Sequence, residues 1–585
     1  MKQFFKYVFA TIVGMFFFSI LWILFLVGIA AVAGSEKKAD VKPNSVLKLD
    51  LNYEIPEMTN SNPFASMDFT SFKPRKATGL NDIVQALKSA KSDKNIKGIY
   101  IEMGVNPNGY ATLEVIRNLL VDFKKSGKFV YAYGSMVSQK SYYISSVADK
   151  IMLNPSGGME ITGFGREIMY YKNALDKLGI EVQDFHCGQF KSAIEPYLRD
   201  KMSDPNRAQL TTLYQAVYNH FLDKVAAARK VDKATLNAIV NELQSFLPED
   251  CKANGLVDEL GYYDQVESLL RTKTGVTAKD KVKYVELASY AKFAKEKSEN
   301  SESEKVAIMY ADGEIVDGNG QDGQIGGDEF AKLIRKVRED DNVKALVLRV
   351  NSPGGSALAS DIIWREVVET RKSKPVVVSF GDVAASGGYF ISCNSDRIFA
   401  QPNTITGSIG IFGLVPNAKK FLNEKIGITT DQVEVTKHGA FNMITNPFDA
   451  EEKALIQRTI EKGYREFKER VANGRNKDTA YIETIAQGHV YTGNQAIEIG
   501  LVDELGTLDD AVAFAAKKAN LKKFSLKEYP QDKDFATQLT EALGEAKTQW
   551  IKDELGDQYE IYKVIQTLKK ATGMQMRMPY SLGIE

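Results

Sequence analysis

The chain is written twice. GLVDELG occurs at Gly255–Gly261 and again, unchanged, at Gly500–Gly506. Val46–Ile55 (VLKLDLNYEI) parallels Val306–Ile315 (VAIMYADGEI), and Ile96–Met103 (IKGIYIEM) parallels Val343–Val350 (VKALVLRV). Gly134, which ends KFVYAYG, parallels Gly381, which ends KPVVVSFG. The order is kept and the offset stays between 245 and 260 residues. Self-similarity of this kind marks a duplicated structural unit, so whatever one half folds into, the other must fold into as well. The expected bounds are a first module over 45–291 and a second over 305–585. Between them, residues 292–304 read as a polar, charged linker.

Within each module, short β-branched runs alternate with amphipathic stretches. Val343–Val350 and Pro375–Phe380 are continuous apolar runs, suited to strands buried on both faces. Asp361–Arg371 has helical character, with Ile362, Val367 and Val368 available for one face. Asp449–Val471, Asp509–Asn520 and a C-terminal extension over Phe535–Gly573 read as further helices. Strand, helix, strand, helix implies parallel pairing and an α/β fold.

Ahead of the first module, Tyr7–Gly34 carries no charge. A hydrocarbon core takes about 20 apolar residues as a helix, whereas a cleavable signal has a shorter apolar core of about 7–15. The expectation is residues 1–6 as a short tail and 7–34 as one uncleaved transmembrane anchor, with Ala31-Val32-Ala33 as the alternative cleavage site. Lys2 and Lys6 before the span balance Lys37, Lys38 and Lys42 after it, so charge does not fix orientation. Lys+Arg and Asp+Glu both total 75, a balance that gives no reason to expect nucleic acid. Three cysteines, Cys187, Cys251 and Cys393, suit neither a disulfide framework nor a zinc site. With four histidines in 585 residues, chemistry without histidine is worth considering. No metal or cofactor is implied.

In the second module, a strand runs into Asn351-Ser352-Pro353-Gly354-Gly355-Ser356. This is either a tight turn or a pair of exposed N–H donors able to hold an oxyanion. The next strand leads to Gly381-Asp382 and then Ala385-Ser386-Gly387-Gly388-Tyr389, which places Ser386 at a helix start, as a cap or as a nucleophile. Aligning Gly134 with Gly381 puts Gln139 where Ser386 stands, so the first module has lost the hydroxyl. Its turn, Val105-Asn106-Pro107-Asn108-Gly109, also lacks the double glycine. Conversely, Gly188–Tyr197 (GQFKSAIEPY) parallels Gly439–Phe448 (GAFNMITNPF), and Lys191 faces Asn442. Each module holds one half of a nucleophile–base pair.

GQFKSAIEPY, NSPGGS, the stretch around ASGGYF and TGSIG (Thr406–Gly410) together resemble the motifs of the signal peptide peptidase A family in its long tandem form. The resemblance covers nearly the whole chain. It implies two tandem Clp protease/crotonase-like modules after the anchor, with Ser386 as nucleophile and Lys191 as general base. It further implies Ser408 as a lysine-orienting residue and a backbone N–H near Gly354 or Gly355 as oxyanion hole. The implied activity is a serine endopeptidase that degrades cleaved signal peptides. The implied setting is a homotetramer on the inner membrane, single-pass, with its catalytic part on the extracytoplasmic (periplasmic) side. A lysine base must lose its proton near neutrality, which requires burial. Three other readings remain open here: the same protease acting on lipoprotein or membrane-protein fragments, a non-catalytic membrane scaffold, and a crotonase-like acyl-CoA enzyme.

Overall fold

The structure, a computed structural model, describes residues 2–33, 40–60, 67–68, 73–74, 78–277, 280–298, 302–321, 323–441, 443–531, 551, 554 and 574–578. The expected helix over Phe535–Gly573 lies outside the described residues apart from positions 551 and 554, and Asn442 lies outside them as well.

The first half comprises α1 (Lys2–Ala33), β1 (Ser45–Asp50), α2 (Leu80–Ser92), β2 (Ile96–Met103), α3 (Tyr110–Lys124), β3 (Phe129–Ser138), α4 (Gln139–Ser145), β4 (Lys150–Glu160), β5 (Glu181–His186), α5 (Asp204–Arg229), β6 (Glu259–Leu260), β7 (Tyr284–Glu286) and α6 (Leu287–Ser298). Its sheet runs β6-β4-β3-β2-β1-β7, parallel throughout. The second half comprises β8 (Lys305–Asp312), β9 (Val343–Ser352), β10 (Gly354–Ser356), α7 (Ala357–Arg371), β11 (Val376–Ala385), α8 (Gly387–Phe390), β12 (Arg397–Ala400), β13 (Ile405–Gly407), β14 (Phe412–Asn417), α9 (Ala450–Arg475), β15 (Val490–Thr492), β16 (Glu504–Leu505), α10 (Leu508–Lys518), β17 (Ser525–Tyr529) and β18 (Gln575–Arg577). There the central order is β17-β8-β9-β11, again parallel, continued through β12 to β16 and through β13 to β15. Strands β1, β2, β3, β6 and β7 thus correspond to β8, β9, β11, β16 and β17.

The duplication reaches individual hydrogen bonds. Tyr142 donates to Leu256 O at 2.7 Å, and Tyr389 donates to Leu501 O at 2.9 Å. Arg229 bonds Gly255 O and Asp258, while Arg475 bonds Gly500 O and Asp503. The GLVDELG repeat is conserved within the chain because its leucine carbonyl and its aspartate hold the same tyrosine and arginine in each half.

Two expectations need correction. Helix α7 starts at Ala357, four residues before Asp361, because Ser356 caps it by accepting from Ala359 N. It buries Ile363 and Val367, leaving Ile362 and Val368 half-buried. The expected linker begins as helix: α6 extends to Ser298, with Tyr290, Ala291 and Ala294 buried against the first half. Those small and aromatic residues recur on one helical face, a stripe hidden by the lysines and glutamates around it.

Helix α1 covers most of the expected anchor, and its described large apolar side chains, Phe9, Met15, Phe16 and Phe18 among them, are exposed. Among the described residues no helix is long and apolar enough to cross a membrane. The side chains of residues 22–33, and residue 34, lie outside the described residues.

Candidate active site

Lys191 reaches the second half because β5 leaves its own sheet. It adds antiparallel to β14, in register from His186 opposite Phe412 to Glu181 opposite Asn417. Cys187 N then donates to Ile411 O, and the chain turns at Gly188, where φ is 100°. A side chain at Gly188 would meet Gln487 C at 2.4 Å, and one at Gly488 would meet Lys191 N at 2.6 Å. Both positions need glycine because two loops from different halves are pressed together. Gln209 of α5 bonds Phe190 O at 3.0 Å and holds the lysine loop from the first-half side.

At the centre, Lys191 Nζ lies 2.8 Å from Ser386 Oγ, 3.0 Å from Ser408 O and 3.0 Å from Ser408 Oγ. Lys191 is 2% exposed, and both serines are fully buried. Burial holds the ammonium well below the ordinary lysine range, because a charge pays heavily for leaving water without a counterion. A neutral amine has two N–H groups and one lone pair. Ser408 O can only accept, so it takes one N–H, and Ser408 Oγ can accept the other. The lone pair then faces the Ser386 hydroxyl, the arrangement a general base requires.

Ser386 stands at φ 54° and ψ −114°, between β11 and α8. A non-glycine residue in this region costs about 1–3 kcal/mol. It is held there by Ser386 N donating to Gly407 O at 2.8 Å and Phe390 N donating to Ser386 O at 2.8 Å. Ser408 is likewise at φ 52°, with its N–H on His489 O. Cys187, beside the lysine loop, is half-buried, and burial raises its thiol. That environment disfavours a thiolate nucleophile.

Gly354 and Gly355 lie beside Ser386 on β10. A side chain at Gly354 would meet Gly387 N at 2.6 Å, so the missing Cβ lets the turn approach the helix that follows Ser386. Gly354 N donates to Ser352 Oγ at 3.2 Å. Strand β18, from the C-terminal region of the chain, lies alongside this turn. It pairs antiparallel with β10, Met576 opposite Gly355, and touches β14 at Phe412 opposite Gln575. Met578 N donates to Pro353 O at 2.8 Å. Met576 and Met578 are buried, the latter among Leu210 and Leu213 of α5 and Ala385, Ile405 and Val490 of the second half. Sequence reading missed this strand, which has no counterpart among the described residues of the first half. Its one signal is the alternation of Met574, Met576 and Met578 with polar residues.

The description "Peptidase family S49" matches residues 122–277 and 369–522. "Protease 4" of Salmonella typhi is 37% identical over 529 residues, covering 88% of this chain and 85% of that protein. "Serine protease SPPA, chloroplastic" of Arabidopsis thaliana is 29% identical over 547 residues, covering 92% of this chain and 78% of its own length. A solved mutant ClpP1 chain from Listeria monocytogenes superposes with a TM-score of 0.24 at 15% identity, covering 36% of this chain and 95% of its own. The family matches once in each half of a duplicated structure, and the Salmonella relative is similar over most of its length. The chain therefore belongs to peptidase family S49 and is a serine protease, not an acyl-CoA enzyme or a non-catalytic scaffold.

Proposed function

We propose that the protein is a membrane-anchored endopeptidase whose Ser/Lys dyad, Ser386 and Lys191, is split between the two halves and degrades cleaved signal peptides. The observation that carries the dyad is the 2.8 Å approach of a fully buried lysine to a fully buried serine. Lys191 takes the Ser386 proton as Oγ attacks the peptide carbonyl. The protonated lysine then delivers that proton to the leaving amine. Lys191, neutral again, deprotonates the water that attacks the acyl-enzyme and returns the proton to Ser386 Oγ as the acid leaves. Ser408 keeps the lone pair aimed through both of its oxygens. Backbone N–H groups near Gly354 and Gly355 supply the oxyanion hole once Gly354 turns from Ser352 Oγ.

The substrate enters as a strand between β10 and β14, the place now held by β18. Strand addition binds backbone through ladder hydrogen bonds and reads alternate side chains in pockets. The buried Met576 and Met578 favour apolar side chains there, which suits signal peptides and equally other membrane-derived fragments. The uncharged run over 7–34 and the exposed apolar side chains of α1 support the anchor. Homotetrameric assembly and extracytoplasmic placement follow the family resemblance.

The test is cleavage of a fluorogenic peptide with an apolar core by wild type, Ser386→Ala and Lys191→Ala. Two folded, inactive variants are expected. An active Lys191→Ala beside an inactive Ser386→Ala would place the base elsewhere.

A further inference from the structure

Strands β9 and β11 feed the two working parts of the site. The first ends at the Gly354-Gly355 turn and the second at Ser386. Arg349, a residue of β9 paired with Ser379 of β11, is buried in the interior, 2% exposed. Its Nη1 donates to Ser379 Oγ at 2.9 Å and to Phe380 O, both on β11. Its charge is met by the first half. Arg349 Nε and Nη2 lie 2.8 and 3.0 Å from the two carboxylate oxygens of Glu57, itself 4% exposed. This is the fork-to-fork geometry that fixes orientation as well as charge.

Two further contacts show that the second half is shaped around Glu57. A side chain at Gly381 would meet Glu57 Oε1 at 2.5 Å, so β11 has glycine where the carboxylate enters. Glu57 N donates to Asp312 Oδ2 at 3.3 Å. Asp312 Oδ1 accepts from Asn351, and Asn351 Oδ1 accepts from Val383 N, three residues before the nucleophile. Among the described residues, the first half has no such device of its own at the matched position. By the repeat, Glu102 stands at the position of Arg349. It pairs at 2.6 Å with Lys48 and is 43% exposed.

We propose that Glu57 of the first half is a positioning residue for catalysis in the second, setting through Arg349 the spacing of the oxyanion turn and the nucleophile strand. The inference rests on the Ser386/Lys191 reading. Buried ion pairs often contribute little net stability, and geometric specificity is one reason they persist. A displacement of about 1 Å at a reacting centre can slow a reaction about 100-fold.

The experiment compares full-length wild type, Ser386→Ala and Glu57→Gln. It measures the rate of fluorophosphonate labelling, with the labelled residue identified by mass spectrometry, together with peptide turnover and circular dichroism. Glu57→Gln keeps the shape and removes the charge. It is expected to fold, to label Ser386 about 10–100-fold more slowly, and to lose kcat to the same extent with KM within about twofold. The acid limb of its pH–rate profile stays at the wild-type midpoint, because Lys191 is untouched. Glu57→Asp, which keeps the charge on a shorter arm, falls between the two. Wild type that fails to label at Ser386 would sink the dyad reading itself. Wild type that labels there, beside Glu57→Gln labelling at the same rate, would overturn only the positioning role. Should Glu57→Gln unfold, the double variant Glu57→Gln/Arg349→Met removes both charges and leaves none unpaired. Slow labelling of that protein supports the proposal, and wild-type labelling or a second failure to fold assigns the pair to stability alone.

Discussion

At equivalent points of the two halves, the same backbone carries different chemistry. Tyr142 and Tyr389 anchor their helices in the same way, yet five residues after the matched glycines stand Gln139 in one half and Ser386 in the other. Gln139 is locked into structure: its amide donates to Tyr110 Oη at 3.0 Å and its carbonyl accepts from Gly163 N at 2.9 Å. The capping residue beside it, Ser138, has a relaxed φ of −76°, whereas Ser386 is held at φ 54°. The half with glutamine at this position lacks the strained backbone and keeps the scaffold. What it retained was turned outward: β5 and the lysine loop, the Glu57 carboxylate, and the N-terminus of α3, which Asp382 caps by accepting from Thr112 N and Oγ1 at 2.9 and 2.7 Å. Each half thus keeps its own copy of the tyrosine and arginine hydrogen bonds while sharing further bonds across the seam.

The sharpest way to break this comparison is to exchange the chemistry. Ser386→Ala and Lys191→Ala should each lower kcat by at least about 1000-fold. Adding Gln139→Ser to Ser386→Ala should restore nothing, because the first half places Tyr110 and Gly163, not a buried lysine, against that position. Recovery of peptide turnover in the double variant would show that the first half is still competent.

A smaller effect concerns β18, the strand with no counterpart among the described residues of the other half. Removing residues 574–585 should lower KM about 3–10-fold at nearly constant kcat, since substrate no longer competes with β18 for the groove. An unchanged KM in steady-state kinetics would mean that peptides bind elsewhere.

Lys191 links stability to pH. Its folded pKa is depressed by burial, so the folded state binds fewer protons than the unfolded chain. The resulting cost is absent above the ordinary lysine pKa of about 10.4 and grows as pH falls below it. Lys191→Met should be inactive yet more stable at pH 7, by about 1 kcal/mol. The gain should shrink toward pH 10 in thermal melts. In wild type, activity should fall as pH drops through the depressed pKa, where the lone pair is lost. A rate that stays level into the acid range would contradict a neutral lysine base.

The smallest effect tests the seam between the halves. Asp382→Ala removes the cap of α3 and should cost about 1 kcal/mol. The aligned Ser135→Ala, at an exposed position, should change stability by less than about 0.5 kcal/mol. Equal melting shifts for the two would mean that Asp382 does no capping across the seam.

Much of the site was legible before any fold was known. Ser386, Lys191 and Ser408 emerge from the repeat and the family motifs, and the structure puts Lys191 Nζ within 3.0 Å of both serine hydroxyls. Glu57 was not legible, because its meaning depends on Arg349 lying 292 residues away. Gly488 was equally silent, since a lone glycine in sequence does not say what presses against it. The helical start of the expected linker was missed because its buried stripe is short and its charges dominate local composition.

The sequence by itself determined that one module is used twice, that its strands are buried and parallel, and that the halves differ at the positions of Ser386 and Lys191. Hydrophobic periodicity and turn chemistry are local, so they can be read along the chain. Only the tertiary structure decided that β5 crosses to the other half, that Lys191 is sealed from water, which lowers its pKa, and that Glu57 meets Arg349. Burial and partnership are properties of what folds against a residue, and these partners come from the opposite half of the chain.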